Sequence, residues 1–329
     1  MRVGVIGAGA MGQNHIRTYS QMPGVELVGI ADLDKKRIDS LSKLYGTQGF
    51  LDYKQLLDCD LDAVSIVVPT TLHRQVAMET IDRGINLLVE KPFADTVNNA
   101  MDILQAARNK DVKLMVGHIE RFNPAVIKMK ELIQTGVLGK IVSINTRRVG
   151  PYNPRIRDVG VILDIGVHDI DVISYLYHSQ PREVYAVAGN GVHKQEDHAS
   201  IILRFDNNRS GVVETNWLTP HKIRTFTVIG TEAVGYGDYI DQKIFVHDED
   251  WVKEAKVERS EPLRKELEYF VDCCASDIPP MASGEDGISA LQAALASIES
   301  YKLSTAVKIP PLDRIFTNAP LAERAMTTQ

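Results

Sequence analysis

Met1-Arg-Val-Gly-Val-Ile-Gly-Ala-Gly-Ala-Met-Gly12 decides the fold. The β-branched run Val3–Ile6 reads as a buried strand, and Gly7, Gly9 and Gly12 follow it as G-x-G-x-x-G, with Ala10 and Met11 opening a helical stretch. Each glycine has its own use: Gly7 allows the tight turn, Gly9 lets the backbone approach a pyrophosphate, and Gly12 permits close helix–strand packing. Free amides at the helix start then face the anion. Asp32 ends a second strand in Gly29-Ile-Ala-Asp32, where a carboxylate accepts hydrogen bonds from an adenosine ribose diol. These residues predict an NAD site. Lys35, Lys36 and Arg37 follow closely and leave NADP possible. A glycine-rich turn with an aspartate helix cap is the plainer reading.

Outward from this unit the theme repeats. Leu27–Ala31, Ala63–Val68, Ile85–Val89 and Lys113–Val116 are further strands, alternating with helical stretches at Met11–Ser20, Lys35–Leu44, Leu72–Arg83 and Val97–Lys110. Strands alternating with helices predict an α/β fold, a Rossmann-type doubly wound parallel sheet over residues 1–120. Beyond a helix at Pro124–Thr135 the pattern changes to longer alternating runs: Lys140–Val149, Val184–Ala188, Ala199–Phe205, Gly211–Trp217, Ile223–Ile229 and Lys243–Val246. Asn207-Asn208 and Gly235-Tyr236-Gly237 read as hairpin turns. Helices are expected at Ile165–Tyr177, Pro262–Cys274 and Gly284–Leu303. Residues 121–329 therefore read as an α+β substrate domain with a mostly antiparallel sheet, packed closely on the first domain across a cleft.

Composition narrows the function. The chain has 329 residues, 44% hydrophobic and 24% charged, which excludes disorder and fibrous repeats. With 37 basic against 43 acidic residues, the net charge of −6 repels a nucleic-acid backbone, so any phosphate site is local. No apolar run approaches the length needed to cross a bilayer, and nothing at the N-terminus resembles an export signal. Cys59, Cys273 and Cys274 form neither a disulfide framework nor a metal motif, which suits a reducing cytoplasm. The histidines show no zinc-ligand spacing, so no metal is expected, and no G-x-S-x-G nucleophile elbow occurs. Trp217 reads as sheet-face packing.

Two further motifs bear chemistry. Glu90-Lys91-Pro92 follows the apolar strand Ile85–Val89, at the strand end where ligands gather, and its ammonium can stabilise developing negative charge. Asp164 and His168 stand four apart at a helix start, one turn apart on one face, where a carboxylate can orient an imidazole for proton transfer. A capping aspartate beside a core histidine is the plainer alternative.

With the glycine fingerprint, Glu90-Lys91-Pro92, Gly117-His-Ile-Glu-Arg-Phe-Asn-Pro124 and Asp164-Ile-Gly-Val-His168, the chain resembles the glucose–fructose oxidoreductase, inositol dehydrogenase and MocA family along essentially its whole length. Its Gly117–Val126 and Arg147–Gly160 segments are most similar to members that oxidise the 3-hydroxyl of UDP-N-acetylglucosamine. The resemblance implies catalysis by Lys91, Asp164 and His168. It implies cofactor contacts from Gly7, Gly9, Ala10, Met11, Gly12, Asp32, Pro69, Thr70, His73, Glu90 and Lys91, although His73 equally suits a structural place at a helix start. Substrate contacts are implied for Lys91, Arg121, Tyr152, Arg155, Arg157, Asp164 and His168, with Asp171 outside the pattern. Arg147, Arg148, Arg155 and Arg157 with Tyr152 and Asn153 suit a diphosphate and a uracil ring, or else ion pairs between domains. Many members carry a Gly-Gly pair before the aspartate, where this chain has Asp158-Val-Gly-Val-Ile-Leu163, which argues against an inositol or free-glucose specificity. An unactivated polyol such as inositol is the alternative substrate, and a non-catalytic NAD-binding regulator the alternative from another class. The family also implies a homodimer or homotetramer formed through the C-terminal sheet.

Overall fold

The computed structural model describes residues 1–152 and 159–312. The N-terminal sheet is built from β1 (Arg2–Ile6), β2 (Glu26–Ala31), β3 (Gln48–Phe50), β4 (Ala63–Ile66), β5 (Asn86–Glu90) and β6 (Leu114–Gly117). Its order is β3-β2-β1-β4-β5-β6, with every pairing parallel, so the chain switches direction between β1 and β4. Helices α1 (Ala10–Ser20), α2 (Lys35–Tyr45), α3 (Tyr53–Leu57), α4 (His73–Asp82) and α5 (Val97–Lys110) make the crossovers. Strand side chains alternate between two cores: Val3, Val5, Ile30 and Leu88 pack with Ile16 and Tyr19, whereas Val64, Ile66, Leu87 and Val89 pack with Val76, Ile81 and Ile103. Both faces are thus dry, which is why these strands are apolar throughout. The short β3 and α3 were not anticipated.

The chain continues through α6 (Pro124–Gln134), β7 (Ile141–Pro151), α7 (Val167–Tyr177), β8 (Glu183–Gly189), β9 (His198–Arg204), β10 (Ser210–Asn216), β11 (Leu218–Gly230), β12 (Val234–Asp238), β13 (Lys243–His247), β14 (Val252–Ala255), α8 (Pro262–Ala275), α9 (Gly284–Leu303) and β15 (Val307–Lys308). The second sheet runs β14-β13-β12-β11-β7-β10-β9-β8-β15, antiparallel except for the β7–β10 pair. Asn207 and Asn208 take left-handed backbone at the β9–β10 turn, as expected. Gly235-Tyr236-Gly237 does not turn: it lies inside β12. A Cβ at Gly237 would come 2.2 Å from Phe226 and one at Gly235 2.6 Å from Met129, so these glycines make room for large side chains from neighbouring elements.

The last two helices return to the first sheet. Leu263, Leu267 and Phe270 of α8 join the core beside β1. Helix α9 starts with a capping box between Ser283 and Asp286, sends Ile288 and Leu291 into the N-terminal core, and places Ala290, Ala293 and Ala294 in the core beneath the second sheet. One helix about 30 Å long thus ties the two sheets together.

Candidate active site

At the cofactor end, Gly7 has φ +96°, and a Cβ there would lie 2.3 Å from the Val67 carbonyl oxygen. A Cβ at Gly12 would lie 1.9 Å from the Gly7 oxygen, whereas one at Gly9 would meet nothing within 4 Å. The first and third glycines are needed by the protein itself, and the second keeps one side of the turn open. Asp32, immediately after β2, accepts from the Ala8 amide at 2.7 Å and from the Asp34 amide at 2.9 Å. Arg37 Nη1 donates to both Asp32 carboxylate oxygens, at 3.0 and 3.1 Å. The open turn, the helix start at Ala10 and the tethered carboxylate fit an NAD molecule.

Ala10, Met11, Pro69, Thr70, Glu90 and Lys91 line one wall of a cleft of about 810 Å³, and Asp164 and His168 line it from the second half. Lys91 follows β5 directly, and its Nζ donates to the Asp164 carbonyl oxygen at 2.6 Å, with Asp164 Oδ1 at 3.4 Å. Glu90 is buried; its Oε2 accepts the Lys91 amide, and its Oε1 meets His15 Nε2 at 3.1 Å. Burial opposes its charge, but His15 and Lys91 together hold its pKa below the ordinary value.

Asp164 sits in a π-helical turn, Ile162–Gly166, whose widened bond runs from the Val167 amide to the Ile162 carbonyl and leads straight into α7. Such turns recur at functional positions. Burial, then the positive charges of Lys91 and Arg148, push the His168 pKa well below its ordinary value, so the imidazole is neutral at neutral pH and able to accept a proton. Its Nδ1 is buried and finds no hydrogen-bond partner among the described residues. The expectation that Asp164 orients His168 therefore meets a different geometry: Asp164 engages Lys91.

Other expected positions fall differently. His73 is 1% exposed, with Nδ1 at the Pro92 and Phe93 carbonyls and Nε2 at the Val68 carbonyl, so it ties the Lys91-Pro92 loop to the end of β4 and is absent from the cleft lining. Arg121, expected at the substrate, is 3% exposed and taken up by Asp171, Asp286 and the Met281 carbonyl. It joins the segment after β6 to α7 and α9, which also gives Asp171 its role. Arg148, read as part of a diphosphate cluster, is 2% exposed and bonded to Asp169 and Glu120. Arg147 points the other way, to Glu214 at 3.1 Å. Both are taken up by ion pairs, although Arg147 pairs within the second sheet, with its β10 neighbour, and not between domains. Asn153, Arg155 and Arg157 lie outside the described residues.

Tyr152 stacks on His193 with ring centroids 3.9 Å apart, and Trp217 meets it edge-on. Trp217 lines the cleft rather than merely packing a sheet face. Lys222, Arg224, Tyr239 and Gln242 line it too and were missed. The usable signal was register: Arg224 lies directly opposite Arg148 in the β7–β11 pair.

Residues 1–118 match the model of an oxidoreductase family with an NAD-binding Rossmann fold, and residues 126–234 match the GFO/IDH/MocA C-terminal domain. The chain belongs to the GFO/IDH/MocA family: it is an NAD-binding oxidoreductase acting on a CH–OH group. It is 27% identical to UDP-N-acetylglucosamine 3-dehydrogenase of Acidithiobacillus ferrooxidans over 90% of this chain and 95% of that one. The solved structure of that dehydrogenase superposes with a TM-score of 0.86 at 26% identity, covering 92% of this chain and 98% of the other. Inositol 2-dehydrogenase of Rubrobacter xylanophilus is 30% identical over 71% of this chain and 68% of its own length.

Proposed function

We propose that the chain oxidises the 3-hydroxyl of UDP-N-acetylglucosamine to the 3-keto sugar nucleotide. The observation that carries this reading is the meeting of Lys91, Asp164 and a neutral His168 in one cleft beside the cofactor turn. Bound NAD supplies the hydride acceptor. His168 accepts the hydroxyl proton. Lys91 Nζ donates to the same oxygen and steadies its alkoxide character, while Asp164 holds the ammonium in place. Ala10, Met11, Pro69, Thr70 and Glu90 face the cofactor, and the Tyr152–Trp217 edge faces the nucleotide. The similarity to the Acidithiobacillus dehydrogenase along nearly the whole of both chains supports the choice of sugar.

Residues 1–120 carry the cofactor, and 121–329 the substrate and the subunit contact. The exposed side of the second sheet presents Val142, Tyr185, Val187, Ile202 and Tyr236, which supports a homodimer or homotetramer joined there. The three free cysteines, Cys59, Cys273 and Cys274, suit a cytoplasmic place. The deciding assay follows NADH absorbance with UDP-N-acetylglucosamine, coupled to an aminotransferase that removes the keto product. Turnover supports the reading. No signal there, with clear turnover of inositol, assigns the chain to the polyol substrate of its inositol dehydrogenase relatives.

A further inference from the structure

Two guanidinium groups lie side by side on the cleft floor, and among the described residues only one is hydrogen-bonded to carboxylates. Arg148 of β7 and Arg224 of β11 are directly opposed in register, a placement that puts both side chains on one face and sets like charges against each other. Arg148 has three charge-assisted bonds: Nε and Nη2 to Asp169 at 2.9 and 3.1 Å, and Nη1 to Glu120 Oε1 at 2.7 Å. Asp169 accepts a further bond from the Tyr239 hydroxyl. Among the described residues the one carboxylate oxygen within 4.0 Å of Arg224 is that same Glu120 Oε1, already held by Arg148.

The Arg224 side chain makes no hydrogen bond among the described residues, yet is only 35% exposed. It lines the cleft with Lys91, His168 and the exposed Lys222. Burial and the neighbouring Arg148 push its pKa below the ordinary value, the mark of a cation short of a counter-charge. A guanidinium does not deprotonate in such a site, so it stays charged and its free donors can take an anion that enters the cleft.

We propose that Arg224, assisted by Lys222, binds an anionic group of the substrate, a phosphoryl or a carboxylate, and thereby selects a charged sugar derivative over a neutral polyol. A planar guanidinium with free donors matches either anion through paired bonds. The assignment of that anion to a nucleoside diphosphate rests on the proposed function; the anion site itself does not.

The test titrates UDP, glucose 1-phosphate and glucuronate into the NAD-loaded full chain by calorimetry, for the wild type, Arg224→Met, Arg224→Lys and Lys222→Met. Wild type is expected to bind UDP, Arg224→Met to weaken it at least tenfold with an unchanged melting temperature, and Arg224→Lys to recover part of the loss. With UDP-N-acetylglucosamine, the rise in KM should exceed the fall in kcat. Lys222→Met should give a smaller loss of affinity, and it keeps the test open if Arg224→Met folds poorly. Should the wild type bind glucose 1-phosphate or glucuronate but not UDP, with that binding lost in Arg224→Met, the anion site stands and the sugar-nucleotide reading falls. The proposal is overturned if Arg224→Met binds UDP as tightly as the wild type, or if the wild type binds none of the three anions.

Discussion

The two walls of the cleft manage charge in opposite ways. On the cofactor side an anion is met by backbone, an open turn at Gly9 and the first amides of α1, while the tethered Asp32 carboxylate is left for the ribose diol and no described arginine there is buried. On the substrate side charge sits on side chains buried beneath the second sheet, where Arg121 and Arg148 are each saturated by carboxylates. Arginine density alone therefore says little about ligand binding. The informative quantity is which cation makes no hydrogen bond to a carboxylate among the described residues, and this singles out Arg224 from its neighbour Arg148.

Single substitutions on each wall test this contrast. The largest effect is expected at the seam: Lys91→Met should lower kcat by about 10²–10⁴-fold while NAD affinity, measured by fluorescence titration, stays nearly intact. Retention of most activity would remove Lys91 from the chemistry. Next, Arg148→Met leaves Asp169 and Glu120 buried without their cation and should cost about 3–5 kcal/mol in a denaturant titration. A loss below about 1 kcal/mol would mean that Arg148 is not the structural member of the pair.

On the opposite wall, Gly9→Ala should leave stability within about 0.5 kcal/mol, because its Cβ meets nothing, yet weaken NAD binding. Gly12→Ala should damage both, since its Cβ would strike the Gly7 oxygen. Equal effects of the two substitutions on stability would contradict this division.

The smallest effect concerns pH. Burial is the main cause lowering the pKa of His73, on the cofactor side, and of His118 and His168. Their folded values lie below the ordinary 6.5, so as pH falls through 6.5 the unfolded chain takes up protons first. Stability is complete above that pH and is lost progressively beneath it. His73→Gln should flatten this slope in denaturant titrations at several pH values, and an unchanged slope would remove His73 from the account.

Much of this was legible in sequence where function and local geometry coincide. The Gly7–Gly12 turn, the Asp32 strand end and the helices Val97–Lys110 and Gly284–Leu303 follow from periodicity and turn chemistry within a few residues. Reading failed where a residue's purpose lies in a distant partner. Gly235 and Gly237 looked like a turn because nothing nearby shows that Met129 and Phe226 need their space. Arg121 and Arg148 looked like ligand contacts because their acids, Asp171 and Asp169, are 50 and 21 positions away. Asp164 was assigned to His168 by helical spacing, but β5 delivers Lys91 to it from 73 positions earlier.

In the proposed reaction the cleft removes hydride from C3 of a sugar nucleotide. The most direct measurement uses UDP-N-acetylglucosamine deuterated at C3 with NAD and the wild-type chain, and weighs the reduced cofactor by mass spectrometry. Reduced cofactor carrying one deuterium, and slower turnover than with the unlabelled sugar, are expected. Reduced cofactor without deuterium, or none formed at all while inositol is oxidised, would contradict the proposed reaction.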